Sequence, residues 1–360
     1  MYYLPTRIIF GEHALPSSQA QIAGLGSKAL IVTGKSSAAR SGALDELLNF
    51  LAVQNPVIYD GISENPHLES VVTGADLMRE QDCDYVIGIG GGSPLDAAKA
   101  ISLAAANKLG IDDIYRTDLF KRAFPIVAVP TTSGTGSEAT QYAVLTDSRI
   151  GKKAGWGHAL AFPALAIVDP RYTLSLSYHV TLNTAIDALS HLLEGLYSRL
   201  REPLIFPLIH KGIELIVKHL PIALNDPQNL EARTALSQAS LYGGMTIAQG
   251  STTLQHSIGY PLTTAFNVPH GLANGIVMKQ MMELYWPEVD GLIDSAFGSF
   301  DYNLQQFYDW LDKLELRAEM RIDEDFIASK VPEVMASRNM ANNPVLASPD
   351  DVAKIYRSLM

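Results

Sequence analysis

Five short apolar runs in the first half of the chain alternate with segments whose apolar positions recur at helical spacing. Such runs are typical of strands buried on both faces of a sheet. The runs occupy residues 29–33, 57–59, 85–89, 126–129 and 165–168, and the clearest helical segments between them are 44–53, 68–80 and 94–106. Residues 2–10 alternate weakly, as an edge strand or a hairpin arm does. The alternation of strands and helices predicts a parallel sheet with helices on both faces.

The pattern changes after Asp169 and Pro170, where helix follows helix and no strand is evident. The predicted helices are 182–198, 203–220, 230–248, 271–284, 304–314, 325–337 and 349–358. The sequence therefore predicts an α/β domain at 1–175, a second, all-helical domain at 176–360, and a cleft between them.

One predicted helix, 182–198, carries a polar stripe on an otherwise apolar surface. Asp187, His191, Glu194 and Ser198 stand at i, i+4, i+7 and i+11, which places them on one face. A buried carboxylate and imidazole are costly unless they are compensated, and a divalent cation compensates both. Asp187 and His191 are thus candidates for half of a metal site. A hydrogen bond between the two is the alternative, and Glu194 either orients a ligating group or lies on the helix surface.

Two later histidines, His256 and His270, are candidates for the other half. They are 14 residues apart and are flanked by residues that favour turns, namely Gly259, Pro261, Pro269 and Gly271. Both are able to reach one point on the helix of Asp187, and three imidazoles with one carboxylate suit Fe(II) or Zn(II). The alternative for each histidine is an ordinary hydrogen-bonded core residue.

A glycine-rich loop follows the run at 85–89 and reads GIGGGSPLDAAK from Gly88 to Lys99. Glycines let backbone amides approach an anion, and Ser93 with Pro94 then begins a helix whose N-terminus favours negative charge. A pyrophosphate fits such a loop. The spacing departs from the strict dinucleotide fingerprint, so a tight structural turn is the alternative.

Two further segments follow apolar runs and would meet the same edge of the sheet. The loop PTTSGTGSE at 130–138 offers hydroxyls and a flexible backbone; its alternative is a mobile surface loop. The segment Gly34, Lys35 and Ser36 ends the run at 29–33, where an NAD site would carry an acidic residue against the ribose 2′-hydroxyl. This arrangement favours NADP(H) over NAD(H), unless Lys35 is simply solvated.

Composition narrows the partners of the protein. The 360 residues are 47% hydrophobic, and the formal net charge is −11 without any basic run, which argues against nucleic acid or an anionic membrane surface. The single cysteine, Cys83, suits a reducing compartment. No secretory signal and no apolar stretch of membrane-spanning length is evident, so we expect a soluble, cytoplasmic protein with a small-molecule substrate.

Four motifs in order resemble the iron-containing (group III) alcohol dehydrogenases of the dehydroquinate synthase-like superfamily. They are GGGSPLDAAKA at 90–100, PTTSGTGSEAT at 130–140, DALSHLLEGLYS at 187–198, and HSIGYPL at 256–262 followed by NVPHGLANGIVM. The resemblance covers about 6–282 and implies a nucleotide-binding domain, a helical domain, a catalytic metal in the cleft and a homodimer. It assigns the metal ligands as Asp187, His191, His256 and His270. It assigns the cofactor contacts as Asn65, Gly91, Gly92, Ser93, Asp96, Thr131, Thr132, Thr135 and Lys153.

Two positions depart from the family pattern. Many members carry a histidine near the nicotinamide four residues after the third ligand, and this chain has Tyr260 there, which would act only as a neutral hydroxyl. Many NAD-using members carry Asp where this chain has Gly34, which again favours NADP(H).

The predicted reaction is metal-assisted hydride transfer between a small alcohol or aldehyde and NAD(P), with the four ligands and Tyr260 as catalytic residues. Glycerol dehydrogenase and a dehydroquinate synthase-like lyase are rivals within the superfamily. Net accumulation of reduced cofactor from a simple alcohol would exclude the lyase. A metal-dependent hydrolase is a further alternative, although it has no use for two phosphate-binding loops.

Overall fold

The computed structural model describes residues 2–51 and 54–360, and a six-stranded parallel sheet forms the centre of its N-terminal part. The strands lie in the order β1-β8-β5-β4-β2-β3. All five predicted runs are strands, and residues 2–10 contribute only a short edge strand, β1. The bounds are β1 Arg7–Phe10, β2 Ala29–Gly34, β3 Val57–Ile62, β4 Tyr85–Gly90, β5 Ile126–Pro130, β6 Tyr142–Asp147, β7 Lys152–Gly157 and β8 Leu165–Val168.

Helices cover both faces of the sheet because alternate residues of each strand point in opposite directions. Leu30 and Val32 of β2 pack in one core with α5 and α6, whereas Ile31 packs in the other with α1 to α4. The bounds are α1 Ala14–Ser17, α2 Gln19–Ala23, α3 Ser37–Arg40, α4 Ala43–Leu51, α5 Leu68–Glu80 and α6 Gly92–Asn107. The last two residues of the predicted helix 44–53 lie outside the described residues.

An antiparallel hairpin of β6 and β7 lies outside the main sheet and was not predicted. Its inner face packs Ala143, Leu145 and Trp156 into the core beside α6. Its outer face carries Val144, paired with Gly155, and Lys153, which is two residues before Gly155. The hairpin is therefore the element that brings Lys153 to the carboxyl edge of the sheet.

The second half is helical, as predicted, and no strand follows Val168 in the part of the chain that the structure describes. The helix of Asp187, α7, packs against α8, α9 and α11 and is buried for most of its length. The bounds are α7 Tyr178–Tyr197, α8 Phe206–Asn225, α9 Leu230–Gly250, α10 Leu254–Phe266, α11 His270–Gly275, α12 Met278–Gly298, α13 Leu304–Lys313, α14 Glu324–Met335 and α15 Pro349–Arg357. The predicted boundary at residue 175 precedes α7 and stays a prediction.

The turns predicted at Gly259 and Pro261 are wrong, because both residues lie inside α10. Gly259 lies where the side-chain amide oxygen of Asn274 approaches the helix. A Cβ atom built on Gly259 would overlap that oxygen, so only glycine fits there without a shift. Pro261 costs the helix one backbone hydrogen bond, and tertiary packing overrides that local preference. The predicted helix 271–284 is in turn two helices, α11 and α12, separated at 276–277.

The two halves meet closely where the second loop of the sheet contacts α9. Gly136 has a left-handed backbone with φ of 60°, and a Cβ atom built on it would overlap the Cα atom of Gly244. Two glycines thus allow backbone to pack directly on backbone. Among the described helices, none combines the length and apolarity that a membrane span requires.

Candidate active site

Four predicted ligands, Asp187, His191, His256 and His270, lie together and are called here the His/Asp cluster. The Oδ1 atom of Asp187 is 4.0 Å from His191 Nε2, 3.9 Å from His256 Nε2 and 3.8 Å from His270 Nε2. The Nε2 atoms of His191 and His256 are 3.1 Å apart. Helices α7, α10 and α11 therefore bring together side chains that are up to 83 residues apart in the sequence, the difference between 187 and 270.

The donor set of the His/Asp cluster fits a divalent cation. Ligand atoms about 2.0–2.1 Å from a tetrahedral metal lie about 3.4 Å from one another. The ligand atoms of Asp187, His256 and His270 all lie within 4.8 Å of one another, and His191 Nε2 lies 3.1 Å from His256 Nε2. Burial lowers the pKa of both His191 and His270, so these imidazoles favour the neutral form that binds metals. The side chain of Asp187 is 5% exposed, and a cation would compensate its burial.

Glu194 is fully buried, which excludes the interpretation of a helix-surface residue. One carboxylate oxygen contacts His256 Nδ1, and the other accepts hydrogen bonds from the Thr253 amide at 2.6 Å and hydroxyl at 2.8 Å. A carboxylate only accepts hydrogen bonds, so His256 carries a proton on Nδ1 and directs Nε2 toward the cluster. Burial opposes the charged form, but the charge and hydrogen bond of Glu194 raise the pKa of His256.

Asn274, one turn after His270 on α11, was not identified from the sequence. Its Nδ2 atom is 3.1 Å from Asp187 Oδ1, 3.2 Å from His256 Nε2 and 3.4 Å from His270 Nε2. Its i+4 spacing from His270 was the available signal. The amide donates a hydrogen bond to the Asp187 carboxylate and so helps to fix that carboxylate beside the histidines.

Tyr260 lies beside the His/Asp cluster, one helical turn after His256. Its ring stacks on the His270 imidazole with centroids 5.3 Å apart and an interplanar angle of 8°. The ammonium of Lys153 is 5.9 Å from the centroid of the Tyr260 ring. Burial raises the pKa of the Tyr260 hydroxyl above its ordinary value, so the hydroxyl is neutral at neutral pH.

The two predicted phosphate loops touch each other at the carboxyl edge of the sheet. Thr131 donates its amide to the Gly90 carbonyl at 2.8 Å, and Cβ atoms built on Gly91 and Gly92 would lie 3.3 Å from Thr132 Oγ1 and 2.7 Å from Thr135 Cγ2. The glycines thus keep open a narrow space that side chains would fill. The buried Thr131 hydroxyl has no hydrogen-bond partner among the described residues, which suits a site completed by a polar ligand.

Three predicted cofactor residues form one hydrogen-bonded chain above this loop. Lys153 Nζ donates to Asn65 Oδ1 at 2.7 Å, and the backbone amide of Asn65 donates to Ser93 Oγ at 3.2 Å. Asn65 has a left-handed backbone with φ of 56°, which turns its amide toward the glycine loop. The chain links hairpin β6–β7 to the start of α6.

Asp96 is engaged within the protein. It accepts hydrogen bonds from the Ser137 hydroxyl at 2.6 Å and the Val144 amide at 2.9 Å, and the ammonium of the fully buried Lys99 is 3.7 Å away. Its direct role toward a cofactor stays a prediction. Asp96 and Lys99 instead connect α6, the second loop and β6.

The third predicted segment lies at the end of β2. Gly34 pairs with Ile62 of β3, and a Cβ atom built on Gly34 would lie 3.3 Å from the Ile62 carbonyl oxygen. Lys35 and Ser36 follow it and are both exposed. The segment therefore presents a positive charge and hydroxyls, with no acidic side chain, at the carboxyl end of the strand.

A parallel sheet with glycine loops at its carboxyl edge, next to a helical half that gathers histidines around a carboxylate, is the architecture of a metal-dependent dehydrogenase. The family model for iron-containing alcohol dehydrogenase matches residues 5–170, and the model for the C-terminal part of that family matches residues 181–360. The chain belongs to the iron-containing alcohol dehydrogenase family. It is an NAD(P)-dependent alcohol dehydrogenase.

Individual relatives agree with this assignment. The choline dehydrogenase of Bacillus subtilis (strain 168) is 30% identical over 95% of this chain and 90% of its own length. The iron-containing alcohol dehydrogenase of Thermotoga maritima superposes with a TM-score of 0.93 at 37% identity, covering 100% of this chain and 99% of that chain. The sulfoacetaldehyde reductase of Bifidobacterium kashiwanohense, solved in complex with NAD+, superposes with a TM-score of 0.90 at 30% identity, covering 100% and 98%.

Proposed function

We propose that this dehydrogenase is an Fe(II)-dependent, NADP(H)-preferring enzyme for small alcohols and aldehydes, with the His/Asp cluster as its metal site and Zn(II) as the alternative metal. The observation that carries the proposal is the convergence of three imidazole nitrogens on the Asp187 carboxylate, at separations of 3.8–4.0 Å. A cation held there would supply Lewis-acid chemistry that polarises the oxygen of the substrate. The homodimer and the cytoplasmic location stay predictions.

The surrounding residues position the reactants. Glu194 fixes the orientation of His256 through its contact with Nδ1, and Asn274 fixes the carboxylate of Asp187. The neutral Tyr260 ring, stacked on His270, is a wall of the substrate space and offers its hydroxyl only as a hydrogen-bonding group. The glycine loop and the Thr131–Thr135 loop would hold the pyrophosphate, with Lys153 and Asn65 beside them.

The preference for NADP(H) is supported by the end of β2. Exposed Lys35 and Ser36 follow Gly34, and a 2′-phosphate is better matched by a cation and a hydroxyl than by the carboxylate of a typical NAD site. We expect Lys35→Glu to lower kcat/KM for NADPH by about 10-fold or more, because one attractive charge becomes repulsive. The value for NADH should change little, and Lys121→Glu, at another exposed position, is the matched control.

The metal proposal is tested by preparing metal-free enzyme and reloading it with Fe(II) or Zn(II) under anaerobic conditions. Short primary alcohols and aldehydes are then assayed with NADP(H) and NAD(H) by absorbance at the nicotinamide band. We expect the activity to follow metal content, and Asp187→Asn to lose bound metal while it retains its far-UV circular dichroism. Full activity of stripped protein would contradict the proposal.

A further inference from the structure

One cationic side chain near the His/Asp cluster has no part in the proposed mechanism. Arg338 begins a short 3-10 helix, Arg338–Asn342, and its side chain is exposed. Its Nη2 atom would lie 3.6 Å from a Cβ atom built on Gly155. Gly155 and Lys153 share the outer face of hairpin β6–β7, so Arg338 extends over the same face that carries Lys153.

Arg338 also lies near Tyr260, whose ring stacks on a cluster histidine. Its positive charge acts on the hydroxyls of Tyr260 and Tyr142 and partly offsets the effect of burial on the pKa of each. Tyr142 starts the same hairpin. The guanidinium is therefore close to Gly155 of the hairpin, and its charge reaches the Tyr260 hydroxyl.

The backbone on both sides of Arg338 is anchored to the segment that leads into α10. The Ser257 hydroxyl donates to the Ser337 hydroxyl oxygen at 2.9 Å, and Asn339 Nδ2 donates to Thr252 Oγ1 at 3.1 Å. Helix α10 carries both His256 and Tyr260. These contacts fix the backbone of Arg338 relative to α10. A residue that selects substrates must be held in a fixed position of this kind.

No carboxylate of the described residues forms an ion pair or a hydrogen bond with Arg338. Arg149, by contrast, is bonded to Asp147 and Asp112, and Arg171 is bonded to Asp169 and Glu46. In a chain with a net charge of −11, an exposed arginine left without an acidic partner has its full hydrogen-bonding capacity available for a ligand.

Building on the proposed function, we propose that Arg338 is a specificity residue that binds a carboxylate at the far end of the substrate, so that the enzyme favours aldehydes and alcohols bearing an anionic group. A guanidinium presents parallel N–H donors that match the two oxygens of a carboxylate. A neutral chain of equal length gains nothing from this contact, and a cationic one is repelled.

The test uses full-length, metal-loaded enzyme and three four-carbon aldehydes that differ in charge: 4-oxobutanoate, butanal, and an analogue ending in trimethylammonium. We expect kcat/KM to fall in that order, with the carboxylate favoured over butanal by about 10-fold or more. Shorter and longer oxo acids define the best spacing. In Arg338→Gln, KM for 4-oxobutanoate should rise about 10- to 100-fold with a small change in kcat, whereas the kinetics with butanal should be unchanged.

Three controls separate this proposal from others. Arg338→Lys should keep part of the preference for the carboxylate substrate, because lysine retains the charge but lacks the parallel N–H donors of the guanidinium. Arg321→Gln, at another exposed arginine, should keep all of that preference. An equal loss for carboxylate and neutral aldehydes in Arg338→Gln, or a rise confined to the KM of the cofactor, would overturn it. If no aldehyde reacts, the proposed function fails separately, and calorimetric binding of 4-hydroxybutanoate to wild type and Arg338→Gln still decides the role of Arg338.

Discussion

The Glu194 carboxylate contacts Nδ1 of His256, and this contact fixes which nitrogen of the imidazole faces the His/Asp cluster. The two residues lie on different helices, α7 and α10, and both are buried. Because Nδ1 donates to the carboxylate, Nε2 is the nitrogen that faces the His/Asp cluster. The arrangement is a buried carboxylate–histidine pair, of the kind that orients a metal ligand in proteins that bind metals.

We expect Glu194→Gln to weaken metal binding by about 10- to 100-fold, the usual effect of removing a partner behind a ligand. Both oxygens of Glu194 accept hydrogen bonds, one from His256 and one from Thr253, and an amide is able to satisfy only one of them. Competition with a chromophoric chelator measures the affinity. Glu288→Gln, on the exposed surface of α12, should bind metal like wild type, and equal affinities in all three proteins would contradict the role of Glu194.

A second prediction concerns the close approach of α11 to α7. A Cβ atom built on Gly271 would overlap the carbonyl oxygen of Asn183 and lie 2.9 Å from Asp187 Cβ. Gly271→Ala should therefore push the two helices apart, at a cost of about 1–3 kcal/mol in the free energy of unfolding, and should move His270 away from Asp187 and weaken metal binding.

The matched control for this helix contact is Gly291→Ala, because a Cβ atom built on Gly291 of α12 meets nothing within 4 Å. Alanine should stabilise that helix by about 0.5–1 kcal/mol because it reduces the freedom of the unfolded chain. Urea unfolding measures both variants. A Gly271→Ala protein as stable and as metal-competent as wild type would show that α11 adjusts without disturbing the cluster.

The buried ammonium of Lys99 joins α6 to the second loop and to β6. It donates to the Ser137 hydroxyl at 2.6 Å and to the Tyr142 carbonyl at 2.7 Å, and it lies 3.7 Å from Asp96. Lys99→Met removes the only cation within 4.0 Å of the Asp96 carboxylate among the described residues, so we expect a loss of about 3 kcal/mol or more in the free energy of unfolding.

The control variant for Lys99→Met is Lys354→Met. It breaks an exposed ion pair with Asp350 at 2.9 Å and should have little effect on the free energy of unfolding. Denaturant midpoints of the three proteins measure the difference. Similar midpoints for Lys99→Met and wild type would mean that Asp96 takes up a proton without structural cost.

The sequence predicted the elements whose patterns are local. Buried strands such as β4 and the long helix α7 have apolar patterns that no other element explains. Helix α10 was missed because Gly259 and Pro261 oppose helix formation locally, and only packing against Asn274 and its neighbours makes the helix favourable. The hairpin β6–β7 was missed because its inner face mixes apolar residues with the buried Asp147.

The site shows the same division between local and tertiary information. The stripe of Asp187 and His191 is visible along one helix, since both residues share a face at i and i+4. Asn274 stands four residues after His270, but its contact with Asp187 joins segments that are far apart in the sequence. The contacts behind the proposed role of Arg338 also join distant segments. Glu194 lay on the predicted stripe, but only its burial beside His256 distinguishes a supporting group from a surface carboxylate.

The last prediction concerns the pH dependence of stability through Glu138, which is buried in the second loop. Burial raises the pKa of this carboxyl from 4.5 to about 7, and the charge of Lys99 opposes the shift. The folded state therefore binds the proton more tightly than the unfolded state, and this contribution to stability is full below pH 4.5 and is lost as the pH rises to about 7. Glu138→Gln cannot lose a proton, so the stability of the variant relative to wild type should increase between pH 5 and 7, by at most about 1.4 kcal/mol per pH unit.

Equilibrium urea unfolding of the metal-free proteins at constant ionic strength measures this difference at pH 5, 6 and 7. A difference that stays constant over this range would mean that Glu138 titrates alike in the folded and unfolded states, and that its burial is compensated by a contact with Lys99 in solution.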